Sequence, residues 1–280
     1  MIVRVFIILL CAFLTVFVSL YETVDSLKDI WIPFVTLFVS LVGCYAIYFG
    51  TLYLWSLTID KDKEYEEQGK ISRFVLDQTL EILCHFGGVK LKINGLDKVP
   101  KNEKFVIVYN HTSNFDPMII SLILHNHDLI HISKPGNFKI PIAGAFVHRN
   151  CYLSIDRDDA RKALKTIDKA ANFIEDDKFS VGVSPEGTRN KSGEGLLPFR
   201  NGSFKIALKA KCPTVVCCLH NVNKIHKNFP FKRTIVEVNF LDVIEYDENL
   251  KTDIISNRVR KEMLKDLNIE EEENDEVFTV

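Results

Sequence analysis

The sequence lacks regularly spaced cysteines and lacks a large net charge, and each absence argues against a class of protein. Its seven cysteines form no CxxC pair and no regular spacing, so they predict no disulfide framework. We interpret them as reduced thiols that serve as small apolar side chains. The formal net charge is −2, and no basic stripe is interleaved with aromatic residues. Nucleic acid is therefore not an expected partner.

Several catalytic and ligand-binding signatures are also missing. There is no Gly-x-Ser-x-Gly elbow, which disfavours a serine hydrolase. Gly193-Glu194-Gly195 lacks the Lys-Ser/Thr pair that follows the glycines of a nucleotide-binding loop. His125, His127 and His131 are loosely spaced like metal ligands, but no carboxylate or cysteine completes the set. The sequence thus predicts neither a metal site nor a bound cofactor.

Two long apolar runs precede the rest of the chain. Residues 2–20 contain a single charge, Arg4, and residues 31–59 contain none. Each run has the ~20 residues needed to cross a bilayer core, and the second is long enough to require tilt or an interfacial end. We predict an uncleaved two-helix anchor over residues 1–60. The alternatives are a signal peptide, although no clear small-residue cleavage site is present, and helices that lie in the interface.

Basic residues predict the orientation of this anchor. The connection 21–30 carries one lysine and three acidic residues, whereas four basic residues follow the second run between positions 61 and 73. Positively charged loops stay in the cytoplasm, so the N-terminus and the large domain are expected to face it. The Lys-, Asn- and Ile-rich composition favours a bacterial cell membrane over an endoplasmic reticulum.

Beyond the anchor, strand-like and helix-like segments alternate. We predict an amphipathic connecting helix over 61–88, a globular domain over 89–268 and a disordered acidic tail over 269–280. The alternation indicates an α/β fold with a mixed, partly parallel sheet flanked by helices. The predicted strands cover 89–93, 105–108, 179–183, 214–219 and 233–241, and the predicted helices cover 117–124, 158–176, 203–210 and 251–267.

A histidine and a carboxylate follow the apolar run 105–108. His111 and Asp116 are separated by four residues that can form a tight turn. An imidazole can take a proton from an attacking hydroxyl near neutral pH, and a carboxylate can hold its tautomer. The alternative is structural: Asp116 caps the next helix, with Pro117 in its first turn, and His111 is an ordinary strand-end histidine. The two roles of Asp116 are compatible.

Charged residues also follow two later strand-like runs. In Pro185-Glu186-Gly187-Thr188-Arg189, the glycine permits a sharp turn and the guanidinium can grip a phosphate with two hydrogen bonds. Glu186 can accept a hydrogen bond from a glycerol hydroxyl or hold an arginine, and the alternative is a surface turn with an ion pair. Arg157 is a second candidate phosphate contact, or a solvated residue at the start of a helix.

Together these residues resemble the glycerolipid acyltransferase family, which contains the 1-acylglycerol-3-phosphate acyltransferases. The resemblance covers roughly residues 89–241. His111 and Asp116 match its His-x4-Asp motif, and Ile155-Asp156-Arg157 matches the end of its second motif. Pro185–Arg189 matches its third motif, with Leu197-Pro198-Phe199 and Gly202 following as expected, and Pro213 matches the first proline of its fourth.

The resemblance implies direct acyl transfer without a metal. His111, oriented by Asp116, would deprotonate the 2-hydroxyl of lysophosphatidic acid, which attacks the thioester of acyl-CoA or acyl-carrier protein. Glu186, Gly187 and Thr188 would contact the substrate, and its phosphate would lie against Arg157 and Arg189. The product would be phosphatidic acid, and the bilayer would hold both lipids.

This sequence departs from the family pattern at three positions, and other activities stay open. Ser154 and Ser184 stand where phenylalanine is usual, and Val216 replaces the second proline of the fourth motif. These changes bear on the shape of the groove more than on the chemistry. The alternatives are acylation of another lysophospholipid or of glycerol 3-phosphate, hydrolysis by the same dyad, and a non-catalytic lipid-binding scaffold.

Overall fold

A computed structural model describes residues 2–22, 29–192 and 195–269. The predicted acidic tail lies outside these residues, except for its first residue. The chain divides into two compact units. We call Met1–Ile82 with Gly136–Cys151 the helical unit, and Leu83–Pro135 with Tyr152–Val280 the sheet unit.

The described residues form helices and strands in the following order. The helices are α1 (Ile2–Tyr21), α2 (Trp31–Thr58), α3 (Lys70–Phe86), α4 (Phe115–Ile123), α5 (Ala143–Arg149), α6 (Ala160–Glu175), α7 (Lys205–Ala210), α8 (Ile225–Asn228) and α9 (Thr252–Leu267). The strands are β1 (Val89–Asn94), β2 (Val106–Tyr109), β3 (Leu129–Ser133), β4 (Leu153–Ser154), β5 (Ser180–Val183), β6 (Thr214–His220) and β7 (Thr234–Ile244).

The helical unit contains the two apolar helices, α1 and α2. Both are long and apolar enough to cross a membrane, judged by length and composition, and most of their large side chains are exposed. The single charge of α1, Arg4, lies 3.2 Å from Glu81 of α3. This ion pair compensates a charge that would be costly in hydrocarbon. These helices indicate that the protein is membrane-associated.

The connecting helix is shorter than predicted. Helix α3 begins at Lys70, so residues 61–69 are not helical. The segment 61–69 instead bonds to the end of α5 and to the residue after it. Arg149 donates to the carbonyl of Glu67 at 2.9 Å, and Gln68 donates to the carbonyl of Asn150 at 3.1 Å. Tertiary hydrogen bonds therefore replace the helical ones here.

The sheet unit contains a seven-stranded sheet among its described residues, in the order β1-β7-β6-β2-β5-β3-β4. All neighbouring pairs are parallel except β6 and β7. The central strands are buried, because helices cover parallel sheets. This confirms the α/β fold with a mixed, partly parallel sheet.

Strand β1 differs from its prediction. The alternating pattern predicted a half-buried strand, but residues after Val89 are exposed along its length. The reason is its place at the edge of the sheet, where it pairs only with β7 among the described strands. Lysines at alternate positions, Lys90 and Lys92, suit such an edge because charge discourages pairing with another chain.

Helix α4 packs on one face of the sheet and forms part of its core. Ile119, Ile120 and the following Leu124 are fully buried against Ile107 of β2. The helix therefore has little freedom to move relative to β2. Since β2 leads directly into His111 and α4 carries Asp116, this core fixes the two segments of the candidate dyad.

Candidate active site

The predicted site residues gather at one edge of the sheet. Strands β2, β5, β3 and β4 are mutually parallel neighbours, so their carboxyl ends lie along the same edge. His111 follows β2, Pro185–Arg189 follows β5, and Arg157 follows β4. Ligands of open α/β sheets bind outside the carboxyl ends of the strands. The topology thus brings together segments that are far apart in the sequence.

His111 and Asp116 form a hydrogen-bonded pair. His111 Nδ1 lies 2.8 Å from Asp116 Oδ2, and the same oxygen accepts from the backbone amides of Thr112 at 2.7 Å and Ser113 at 2.8 Å. Because the carboxylate is an acceptor, Nδ1 carries the proton and Nε2 is left as the base. The His111 side chain is 24% exposed and that of Asp116 is 0% exposed. The ring can therefore meet a substrate while the carboxylate cannot.

The expected capping role of Asp116 is wrong. Helix α4 begins at Phe115, one residue before Asp116, and its N-cap residue Asn114 makes no side-chain capping bond. The carboxylate instead folds back onto the preceding loop, to the amides of Thr112 and Ser113. These two bonds fix the turn that returns Asp116 to the imidazole.

Burial of Asp116 changes its acidity. Desolvation raises the pKa of this carboxyl above its ordinary value, although the His111 ring and the amides of Ser113 and Thr112 oppose the rise. A more basic carboxylate is a better partner for an imidazolium, because it shares the proton more evenly. Asp116 therefore meets the His111 ring as a carboxylate shielded from water.

The backbone of His111 is held on both sides. Its amide donates to Glu186 Oε1 at 2.7 Å, and its carbonyl accepts from the amide of Asn190 at 2.7 Å. The second oxygen of Glu186 accepts from the amide of Leu197 at 3.0 Å. Burial raises the pKa of Glu186, against the effect of these amides. Glu186 thus fixes the backbone of the loop that carries His111. The contact of Glu186 with substrate stays a prediction.

The rest of the Pro185–Arg189 turn is also placed at this edge. Gly187 has a φ of +69° and is buried, and Thr188 is exposed. A side chain at Gly187 would come within 2.8 Å of Arg200. Arg189 Nη1 donates to Asn114 Oδ1 at 3.1 Å, so it reaches the loop between the two dyad residues. The ion-pair alternative for this turn is not observed among the described residues, since both Glu186 oxygens bind backbone amides.

Arg200 is a cation that the sequence did not single out. Its backbone amide donates to the carbonyl of Pro185 at 2.8 Å, and its side chain lies against Gly187. Burial, and then the nearby charge of Arg200, lowers the pKa of Arg157. The two guanidinium groups are therefore close enough to repel each other, which an anion between them would relieve. The sequence feature that could have identified Arg200 is its position directly after Leu197-Pro198-Phe199.

The three departures from the family pattern lie in different environments. Ser154 is exposed and Val216 is fully buried in the core. Ser184 is buried, and its hydroxyl oxygen has no hydrogen-bond partner among the described residues. A serine in place of a phenylalanine therefore leaves a polar, less filled spot at the end of β5.

His131 bridges the two segments that carry the dyad. Its Nδ1 lies 2.9 Å from the hydroxyl of Tyr109, two residues before His111, and its Nε2 lies 2.9 Å from the hydroxyl of Ser121 on α4. The ring is buried between them. A Cβ at Gly182 would stand 2.4 Å from His131 Nδ1, so the glycine makes room for the ring. His131 is thus a structural link between β2 and α4.

The substitution Gly182→Ala is expected to displace the His131 ring and to destabilise the chain by about 1–3 kcal/mol, as overpacking does. The loss of the hydrogen bond between His131 and Tyr109 should also lower kcat, because the hydrogen-bonded link through His131 between β2 and α4 is then broken. Thermal unfolding and kcat measure the two effects. Gly43→Ala is the control, since no atom lies within 4 Å of its Cβ position. Equal melting temperatures for both variants would show that the position of the His131 ring does not contribute to stability.

A second polar cluster lies at the end of β6. The side-chain sulfur, nitrogen and oxygen atoms of Cys218, His220 and Asp266 that could serve as metal ligands all lie within 4.8 Å of one another. His220 Nε2 lies 2.6 Å from Asp266 Oδ2, and the side-chain amide of Asn239 donates to both oxygens of Asp266. These groups satisfy one another and join α9 to the sheet.

This cluster should make stability depend on pH. The hydrogen bond that His220 donates to the Asp266 carboxylate raises the pKa of His220. The stabilisation is therefore complete below the ordinary value of about 6.5 and is lost as the pH rises through the raised value. His220→Gln should cost about 1.5 kcal/mol near pH 6 and much less near pH 9. Melting temperatures of both chains across this range test the prediction, and a constant difference would contradict it.

Comparisons with known proteins identify relatives of this chain. A family model described as Acyltransferase matches residues 90–220. The 1-acyl-sn-glycerol-3-phosphate acyltransferase of Haemophilus influenzae is 30% identical over 164 residues, which is 56% of this chain and 68% of that protein. The protein of the same name from Borreliella burgdorferi is 25% identical over 69% of this chain and 80% of its own length.

A solved structure has the same fold. The crystal structure of the 1-acyl-sn-glycerophosphate (LPA) acyltransferase PlsC from Thermotoga maritima superposes with a TM-score of 0.56 at 17% identity, over 79% of this chain and 88% of that one. The matched segment 90–220 contains the dyad, Arg157 and the Pro185–Arg189 turn. On the sequence relationship, the motifs and the shared architecture, the chain belongs to the acyltransferase family.

Proposed function

We propose that this protein is a 1-acylglycerol-3-phosphate O-acyltransferase, which transfers a fatty acyl group to the 2-hydroxyl of lysophosphatidic acid and forms phosphatidic acid. The observation that carries the proposal is the hydrogen bond of 2.8 Å between His111 Nδ1 and the buried Asp116. It leaves a basic Nε2 on a ring that is partly exposed. The named relatives support this choice of acceptor.

The reaction follows from this geometry. His111 Nε2 takes the proton of the 2-hydroxyl as its oxygen attacks the thioester carbonyl of the donor. The C–S bond then breaks, and the imidazolium returns its proton to the thiolate that leaves. Asp116 stabilises the imidazolium during this exchange. No residue is acylated, and no metal is needed.

The acceptor is a phosphomonoester, since two arginines follow strands that end at the same edge of the sheet as the strand before His111. Arg157 and Arg189 hold the phosphate, since a guanidinium can donate two parallel hydrogen bonds to its oxygens. Glu186, Gly187 and Thr188 form the turn against which the head group lies. The donor is acyl-CoA or acyl-carrier protein, both of which carry the acyl chain as a thioester.

The protein acts in a membrane, where lysophosphatidic acid and its product reside. The basic residues that follow α2 support an orientation with the dyad on the cytoplasmic side. This orientation gives the site access to water-soluble thioester donors. A bacterial cell membrane fits the composition better than an endoplasmic reticulum.

A panel of acceptors tests the proposal. The purified chain in lipid vesicles is given acyl-CoA or acyl-carrier protein with lysophosphatidic acid, lysophosphatidylcholine, glycerol 3-phosphate or no acceptor. We expect phosphatidic acid, acylated at the 2-position, as the main product. Preference for another acceptor would reassign the substrate. Free fatty acid alone would indicate a hydrolase, and no turnover with any pair would indicate a scaffold.

Replacing Arg189 by alanine is expected to raise the KM for lysophosphatidic acid by about 10–100-fold, because a hydrogen bond to a charged group contributes about 1.5–3 kcal/mol. The KM for the donor should change little. For Arg189→Lys, the KM for lysophosphatidic acid should lie between those of the unsubstituted chain and Arg189→Ala. Lysine keeps the charge but cannot donate two parallel hydrogen bonds as a guanidinium does. Arg161→Ala, an exposed arginine on α6, is the control. Equal changes in both KM values would show that Arg189 does not bind the phosphate.

A further inference from the structure

The connection between β6 and β7 exposes two phenylalanines among basic residues. We call residues 224–233 the aromatic–basic loop. It contains Lys224, Lys227, Lys232 and Arg233 and no acidic residue, in a chain whose formal net charge is −2. Phe231 is 98% exposed and Phe229 is 54% exposed. Single exposed phenylalanines are ordinary, but two of them between four cations form a distinct surface.

The loop is held in this conformation by its own hydrogen bonds. Ile225 is buried and anchors its start. The carbonyl of Ile225 accepts from the amide of Phe229 at 3.0 Å, and the carbonyl of Asn228 accepts from the amide of Lys232 at 2.8 Å. The Asn228 side chain also donates to Thr234 at 2.8 Å. The two phenylalanines are thus presented outward by an ordered scaffold.

The four cations are available to a partner. Lys224, Lys227, Lys232 and Arg233 are all exposed, and none of them has an ion-pair partner within the described parts of the chain. Their charge is therefore not cancelled locally. Exposed phenylalanines next to a basic face can insert at the boundary between headgroups and acyl chains, and exposed lysines and arginines are attracted to anionic lipid surfaces.

The loop lies beside the candidate active site. The ring of His226 contacts the ring of Phe115, with centroids 5.4 Å apart. Phe115 directly precedes Asp116 of the dyad. A surface that binds the aromatic–basic loop is therefore next to the place where a lipid acceptor would react.

We propose that the aromatic–basic loop is a membrane-contact element. Phe229 and Phe231 enter the headgroup region of a bilayer, and the four cations bind the phosphates of its anionic lipids. The inference rests on the proposed function, since the acceptor and the product are themselves anionic membrane lipids. It deepens that function by naming a surface through which the site meets them.

A bilayer explains this surface better than a second copy of the chain does. In a twofold symmetric dimer the same patch faces itself, so the four cations of one chain would oppose those of the other. Like charges in contact are destabilising. An anionic lipid surface instead complements both the rings and the cations.

Tryptophan fluorescence of the full chain tests the contact. Phe231→Trp and, as a matched control, Leu164→Trp on α6, where Leu164 is 44% exposed, are each reconstituted in phosphatidylcholine vesicles with and without phosphatidylglycerol. The signal of Trp31 and Trp55 is subtracted with the unsubstituted chain. With phosphatidylglycerol present, we expect emission at residue 231 to shift to shorter wavelength and to be quenched by brominated lipids. Emission at residue 164 should do neither.

The triple variant Lys227→Glu, Lys232→Glu, Arg233→Glu in the Phe231→Trp chain should lose the shift and the quenching. Emission typical of water at residue 231 in both lipid mixtures would overturn the proposal. So would a shift that grows with the protein-to-lipid ratio without quenching, which indicates a second copy. These readouts need no turnover, so they stand or fall separately from the proposed acyl transfer.

Discussion

Replacing His111 by alanine is expected to reduce acyl transfer about 10²–10⁴-fold, the usual contribution of a general base. The substitution removes the group that accepts the hydroxyl proton and leaves Asp116 without its partner. The chain should stay folded and membrane-bound, because the backbone of residue 111 keeps its bonds to Glu186 and Asn190. Initial rates with lysophosphatidic acid at saturating donor measure the loss.

The control for this prediction is His125→Ala. His125 is an exposed histidine in a short turn after α4, outside the candidate site. Its variant should turn over like the unsubstituted chain. If His111→Ala also retained the original rate, the dyad would have no part in the reaction.

Glu186→Ala is expected to lower kcat by about 10–100-fold with little change in KM. Removal of the carboxylate leaves the amides of His111 and Leu197 without acceptors, at a cost of about 1–3 kcal/mol for each buried group. The loop that carries His111 then loses the hydrogen bond that fixes the position of the His111 backbone. Steady-state kinetics separate kcat from KM, and thermal unfolding reports the structural part.

Two further variants make this test specific. Glu186→Gln keeps an oxygen that can accept from the His111 amide, so it should recover much of kcat. Glu245→Ala, at an exposed glutamate, should have no effect. A large rise in the KM for lysophosphatidic acid at constant kcat would instead show that Glu186 contacts the substrate, as the sequence pattern suggested.

Local patterns predicted much of the fold. The stripe of apolar residues over 158–176 predicted α6, which runs over Ala160–Glu175 with Asp159 as its cap. Strand β6 was expected over 214–219 and is Thr214–His220. In both cases, the periodicity of the residues coincides with the burial that tertiary packing requires. The exposure of β1 could not be predicted, because it depends on the order of strands in the sheet.

The candidate site likewise combines a contact that local sequence predicts with contacts that it does not predict. The hydrogen bond between His111 and Asp116 follows from five-residue spacing and a local turn. By contrast, the bond from the His111 amide to Glu186 joins residues 75 positions apart, and the position of Arg200 depends on how its loop returns to Gly187. Such contacts are set by the parallel pairing of β2 with β5, which no local pattern encodes.

We propose that His111 acts as a base on the lipid hydroxyl and does not itself attack the donor. Intact-protein mass spectrometry after incubation with the acyl donor alone distinguishes these two roles. We expect an unchanged protein mass, with phosphatidic acid formed only after lysophosphatidic acid is added. An acyl adduct on the peptide containing His111, transferred to the acceptor when it is supplied, would show instead that His111 is a nucleophile.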